Sequence, residues 1–146
     1  MDGRNGSQAC TVIALCAAGS FLNGNFVVAL PHHKPSKQSL DQLVEVMRQG
    51  NIIYDQKFPR GGPLLGVYDG LDLVAGLGIR RLAHGEIGVH TNDDLMEKLQ
   101  AVWERAKREL EFYVHTPLSI MIGLSPSGHV VIFDSHIHED HGTVLG

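Results

Sequence analysis

At Cys10 the chain changes character abruptly. Gly3, Arg4, Asn5, Gly6, Ser7 and Gln8 are polar and loop-like, whereas Val12, Ile13, Ala14, Leu15, Cys16, Ala17 and Ala18 follow with no charged or strongly polar side chain among them. A helix that is apolar on every side has no face to give to water, so it must be covered on every side. The run is far short of the ~20 apolar residues that span a bilayer. Only Arg4 precedes it as a basic residue and no small-residue cleavage pattern follows, so it does not read as a secretory leader. It predicts a buried central helix, ending near Gly19 or Gly24. With 146 residues and 15.9 kDa the chain has enough length to wrap such a helix once. Residues 1–146 therefore read as a single domain, taken from a longer protein.

The covering elements follow from periodicity. Ser39 with Gln42 forms a capping-box pattern, and Leu40, Leu43, Val44 and Met47 then fall at helical spacing. This predicts an amphipathic helix that stops at Gly50 and Asn51. Residues 26–30 suggest a short strand, followed by a loop from Pro31 to Pro35. Residues 59–90 are glycine-rich, with a short helix expected over 69–75 and short strands over 79–82 and 87–89. Thr91 with Asp94 signals another helix start. Leu95, Leu99, Val102, Trp103, Ala106 and Leu110 supply its apolar stripe.

The period then changes to two. Residues 118–124 read as a strand, Ser125, Pro126, Ser127 and Gly128 as a hairpin turn, and 129–134 as the returning strand, with a third strand expected over 143–145. Helices first and strands last make the fold class α+β, a buried N-terminal helix packed on a C-terminal antiparallel sheet.

Charge narrows the partners. A net charge of −4, with only Arg80-Arg81 and Lys107-Arg108 as local basic spots, argues against a nucleic-acid surface. No stretch predicts a membrane span, and no pattern calls for a cofactor. Two cysteines are too few for a disulfide framework, and Cys10 and Cys16 lie more than a helical turn apart. An intracellular compartment, cytoplasmic or nuclear, fits them as thiols. Cys10 is then expected to be exposed and Cys16 structural.

Cys10 stands where the buried helix begins. Unpaired backbone amides and the positive end of the helix dipole stabilise a thiolate there, and the same amides can hold an oxyanion. A small core residue would also satisfy the position. The second signal is Val130-Val131-Ile132-Phe133-Asp134-Ser135-His136. On a strand, i and i+2 share a face, so Asp134 and His136 are expected to project together. A carboxylate beside an imidazole fixes its tautomer, the orienting role in a nucleophile–base–orienter triad.

Gly6-Ser7-Gln8-Ala9-Cys10 leading into a helix, and Phe133-Asp134-Ser135-His136 on a late strand, resemble the herpesvirus tegument-type deubiquitinases and their cellular and bacterial relatives. Asn51-Ile52-Ile53-Tyr54-Asp55, placed after the first amphipathic helix, is similar to that family as well. The likeness spans residues 6–146. It implies a papain-like cysteine protease fold and an isopeptidase that frees ubiquitin, or a ubiquitin-like protein, from lysine side chains. Cys10 would be the nucleophile, His136 the general base and acid, and Asp134 the orienter. The family's oxyanion glutamine lies further upstream than this chain begins. Gln8 is the nearest substitute and Asn5 a poorer one, with backbone amides as the other way to build the hole.

Two other readings compete. His136-Ile137-His138-Glu139-Asp140-His141 spells H-x-H-x-D-H, the ligand string of metallo-β-lactamase-fold hydrolases, in which His136, His138, Asp140 and His141 would hold zinc. Only five residues follow it, so further ligands would have to come from His32, His33, His84 or His90, upstream rather than downstream. The remaining reading is a non-catalytic module on the same fold that binds ubiquitin or another partner.

Overall fold

The computed structural model describes residues 8–25, 36–79, 92–106, 111–115, 119–124, 128, 130–136 and 144–145. Helix α1 spans Cys10–Leu22, and every residue from Cys10 to Gly19, together with Phe21, is buried. Its walls are α2 (Lys37–Lys57), α3 (Val67–Leu73) and an antiparallel sheet of four strands in the order β1-β2-β3-β4. The strands are β1 (Glu111–His115), β2 (Ile120–Leu124), β3 (Val130–Asp134) and β4 (Val144–Leu145). The α+β class and the central helix expected from its all-round apolarity are both present.

Helix α1 runs through Gly19 and ends at Asn23, whose backbone and side-chain N–H groups both donate to the Gly19 carbonyl; Gly24 then takes φ +69°. Gly24 is therefore the stop signal, since the left-handed region carries no Cβ penalty for glycine.

Helix α2 departs from its expected boundaries at both ends. Its N-cap is Ser36, whose hydroxyl accepts from the Ser39 N–H at 3.1 Å, so Ser39 is the third helical residue and not the cap. Gly50 and Asn51 do not end it. The Asn51 side chain donates to the Met47 carbonyl at 2.8 Å, inside a continuing helix, and Gly50 is the point of closest approach to α1. A Cβ on Gly50 would lie 2.5 Å from Ile13 Cγ1 and 2.7 Å from Ile13 Cα. The missing side chain lets two helix backbones touch. The face of α2 also rotates from the expected one. Val46, Gly50 and Tyr54 are buried and Leu43 and Met47 pack on the core, whereas Leu40 and Val44 are exposed at 49% and 55%.

Gly70 repeats the device in α3, where an added Cβ would meet Leu15 Cδ1 at 2.9 Å and Thr11 Cγ2 at 3.0 Å. The helix expected over 69–75 is thus α3 two residues earlier, followed by a 3-10 turn over Ala75–Leu77. Ile79 lies in no strand; the rest of the strand expected over 79–82 and all of that over 87–89 lie outside the described residues, as do the strand expected over 26–30 and the loop from Pro31 to Pro35.

Successive side chains of β2 and β3 alternate between the two faces of the sheet. Met121, Val131 and Phe133 face α1, and Gly123 sits against the Phe21 ring. On the other face Leu124 and Ile122 pack with Trp103 of α4 (Asn92–Ala106). Helix α4 is described to Ala106; the expected continuation to Leu110 lies outside the described residues, and β1 follows it as a strand to which the sequence assigns no element. Glu111-Phe112-Tyr113-Val114-His115 is rich in aromatic and β-branched residues and pairs along its whole length with β2. No helix among the described residues is long and apolar enough to cross a membrane.

Cys16, 1% exposed in the middle of α1, is a thiol that burial pushes from 9.0 up to about 12. Above pH 9 the unfolded chain loses this proton while the folded chain keeps it, so the unfolded state binds fewer protons and stability falls as pH rises. The expected slope from this group is about 1.4 kcal/mol per pH unit between pH 9 and about 12. Urea titrations across that window should show the decline, and Cys16→Ala should flatten it; an unchanged slope in the variant would remove Cys16 as its source.

Candidate functional site

The start of α1 is an open helix end. Ala9 occupies the cap position without a side-chain cap, and the first intrahelical bond runs from the Ile13 N–H to the Ala9 carbonyl at 2.9 Å. The amides of Cys10, Thr11 and Val12 precede that bond and have no acceptor within the helix. Cys10 is buried, 5% exposed, which corrects the expectation of an exposed thiol: the same all-round covering that buries α1 reaches its first turn. Cys10 and Cys16 are both free thiols.

Three elements converge on this helix end. Thr11 Oγ1 donates to the Leu65 carbonyl at 2.7 Å and lies 2.8 Å from Ser119 Oγ. A hydroxyl has one proton, so Ser119 is the donor in the second bond. From α2 comes Tyr54, whose hydroxyl donates to the Pro63 carbonyl at 2.7 Å and stands 3.5 Å from Gln8 Oε1. Burial raises the pKa of this phenol; Asp55 and Cys10 add to the rise, and the Gly62 backbone N–H opposes it. Ile13 meets Gly50 while Gln8 meets Tyr54, so α1 and α2 run antiparallel and the last turns of α2 flank the thiol's helix end. The string Asn51 to Asp55 thus lies inside α2 and not after it. Tyr54 is the site-bordering residue that sequence reasoning does not single out, and its membership of that string is the one signal it carries.

Asp134 and His136 meet, by a route other than the expected one. Strand β3 ends at Asp134, and His136 lies in a bend beyond it. Asp134 Oδ1 accepts from the His136 backbone N–H at 2.9 Å and stands 2.6 Å from His136 Nδ1. The carboxylate caps a two-residue turn and thereby folds the ring back onto itself, as aspartate does at turn starts. Since an ionised carboxylate can only accept, Nδ1 carries the proton and Nε2 is left as the basic nitrogen. Asp134 is 5% exposed, while the His136 side chain is 30% exposed.

Sheet register relates the two halves. Ile120 pairs with Asp134, and Ser119, one residue before Ile120, bonds Thr11, one residue after Cys10. The thiol and the Asp134–His136 pair therefore occupy the same end of the helix–sheet interface. Strand alternation places Asp134 on the face of Val130 and Ile132, opposite the face on which Met121 and Phe133 meet α1. Among the described residues no hydrogen bond joins Cys10 to His136. The structure brings Asp134 to His136 and sets Cys10 at the same end, without a hydrogen bond between the thiol and the imidazole.

Gln8 is exposed beside Tyr54, and Asn5 lies outside the described residues. Of the zinc string only His136 is described; His138, Asp140 and His141 lie outside, as do His32, His33, His84 and His90. Among the described residues no three His, Cys, Asp or Glu side chains are grouped to hold a metal ion. No protein-family model, no curated protein and no solved structure matches this chain.

Proposed function

We propose that this protein is a thiol-dependent isopeptidase of papain-like design that cleaves ubiquitin or a ubiquitin-like protein after its C-terminal glycine. The observation that carries the reading is the 2.6 Å Asp134–His136 contact at the sheet end where Thr11, next to Cys10, is bonded to Ser119. The choice of a ubiquitin-type substrate comes from the sequence resemblance around Cys10 and His136.

The chemistry follows from the tautomer. With Nδ1–H given to Asp134, Nε2 takes the Cys10 proton, and the sulfur attacks the carbonyl of the terminal glycine. The oxyanion forms beside the leading amides of α1, which are unspent within the helix. Collapse of the tetrahedral adduct expels the lysine amine, which receives the proton from the imidazolium. Water, deprotonated by Nε2, then attacks the thioester, releasing the glycine carboxylate and the Cys10 thiol. The reading requires the bend at 135–136 to swing the ring past the end of β3, and catalytic hydrogen bonds commonly tighten only in the substrate complex.

The test is intact-mass analysis after mixing the protein with ubiquitin bearing a C-terminal propargyl or vinyl electrophile. Wild type and Cys16→Ala are expected to gain one ubiquitin, and Cys10→Ala none. An adduct on Cys10→Ala removes the assignment. Binding without an adduct on wild type would point to a binding module, and hydrolysis that survives Cys10 alkylation but not a chelator would point to the zinc string.

A further inference from the structure

We propose that Thr11 is the positioning residue that holds Cys10 in register with His136, an inference that rests on the proposed thiol chemistry. Three elements fix this one side chain. Its hydroxyl donates to the Leu65 carbonyl at 2.7 Å, accepts from Ser119 at 2.8 Å, and its methyl packs where Gly70 of α3 has no side chain. Thr11 and Ser119 are 1% and 0% exposed, so neither bond has water as an alternative partner.

The path from sulfur to the carboxylate that holds the imidazole then consists of short steps, and the bend at 135–136 is the one link that has to move. Cys10 is joined to Thr11 by a peptide bond, Thr11 to Ser119 by a hydrogen bond, and Ser119 to Ile120 by a peptide bond. Ile120 is the ladder partner of Asp134, and Asp134 holds His136 through both its backbone and its ring. Apolar contacts along α1 resist separation from the sheet but resist sliding poorly, because dispersion is not directional. The Thr11–Ser119 bond is directional, and it sits at the end of the interface where sliding or rotation of the helix would move the thiol. Threonine meets the position because it supplies a donor, an acceptor and a methyl; valine keeps the shape without the bonds, and serine keeps the bonds without the methyl.

The experiment measures the rate of adduct formation with the ubiquitin electrophile at saturation, and its half-saturating concentration, in folded variants. Thr11→Val is expected to lower the maximal rate by ~10- to 100-fold with the half-saturating concentration unchanged, a cost typical of a misplaced reacting group. Thr11→Ser should restore the rate to within ~3-fold, and Thr11→Val should cost nothing further in a His136→Ala background, since there is no imidazole left to align with. A folded Thr11→Val at the wild-type rate overturns the proposal, as does a loss that persists in full without His136. Should Thr11→Val fail to fold, Ser119→Ala serves in its place with the same two comparisons, and failure of both to fold would make the pair structural and overturn the positioning role. Absence of any adduct on wild-type Cys10 would instead bring down the isopeptidase reading itself, a result distinct from all of these.

Discussion

Asp134→Asn is expected to slow adduct formation at Cys10 by ~10- to 10²-fold while leaving the protein folded. The carboxylate does two jobs with one oxygen, accepting from the His136 backbone N–H at 2.9 Å and from Nδ1 at 2.6 Å. An asparagine oxygen in the place of Oδ1 can keep both bonds, so the turn and the Nδ1–H tautomer survive. What is lost is the negative charge beside the ring, which stabilises the imidazolium formed when Nε2 takes the thiol proton. Stability should shift little, because the backbone bond that shapes the bend remains. His136→Ala should lose more rate, and the double variant should lose no more than His136→Ala alone, as expected when the carboxylate acts only through the ring. Rates within a few-fold of wild type for Asp134→Asn would show that the pair is a turn cap and nothing more.

Gly50→Ala is expected to destabilise the fold by about 2 kcal/mol, although the same change in an isolated helix would stabilise it by about 1 kcal/mol. The sign reverses because the new Cβ would lie 2.5 Å from Ile13 Cγ1, 2.7 Å from Ile13 Cα and 2.9 Å from Ile13 N. A side chain can rotate away from such a contact; a backbone cannot, so α2 must move off α1. Overpacking of a well-filled interior costs about 1–3 kcal/mol, and contact with main-chain atoms belongs at the upper end. The urea midpoint should fall by about 1 M, given an m-value of about 1–3 kcal/mol/M for a domain of this size. Because Tyr54 lies one helical turn further along α2 and borders the Cys10 end, the displacement should also slow adduct formation. A Gly50→Ala protein as stable as wild type would mean that the two helices are not in backbone contact.

Where sequence reasoning and structure part, a single physical cause recurs. Leu40 and Val44 fit a helical stripe by spacing, yet they face out, because the close approach at Gly50 turns the Val46–Gly50–Tyr54 face inward. Gly50-Asn51 carries a helix-stop signature, but a stop and a close packing contact require the same residue, and only the partner helix distinguishes them. The segment 111–115, to which sequence reasoning assigns no element, is a strand paired along its whole length with β2.

Local chemistry, by contrast, needs only neighbours along the chain. The apolarity of residues 12–18 on every side was enough to require a central buried helix, since no arrangement can leave part of such a helix in water. Two β-type runs, 118–124 and 129–134, with a turn signal between them were enough to predict a hairpin. The proximity of Asp134 to His136 was likewise a matter of two residues, although a turn and not a strand face produces it. What the chain's order could not contain is the relation between elements far apart in it: that Thr11 meets Ser119 across 108 residues, that Tyr54 comes to flank Cys10, and that Cys10 is buried. Those relations depend on which surfaces touch, and surfaces come into being only when the helix and the sheet have packed.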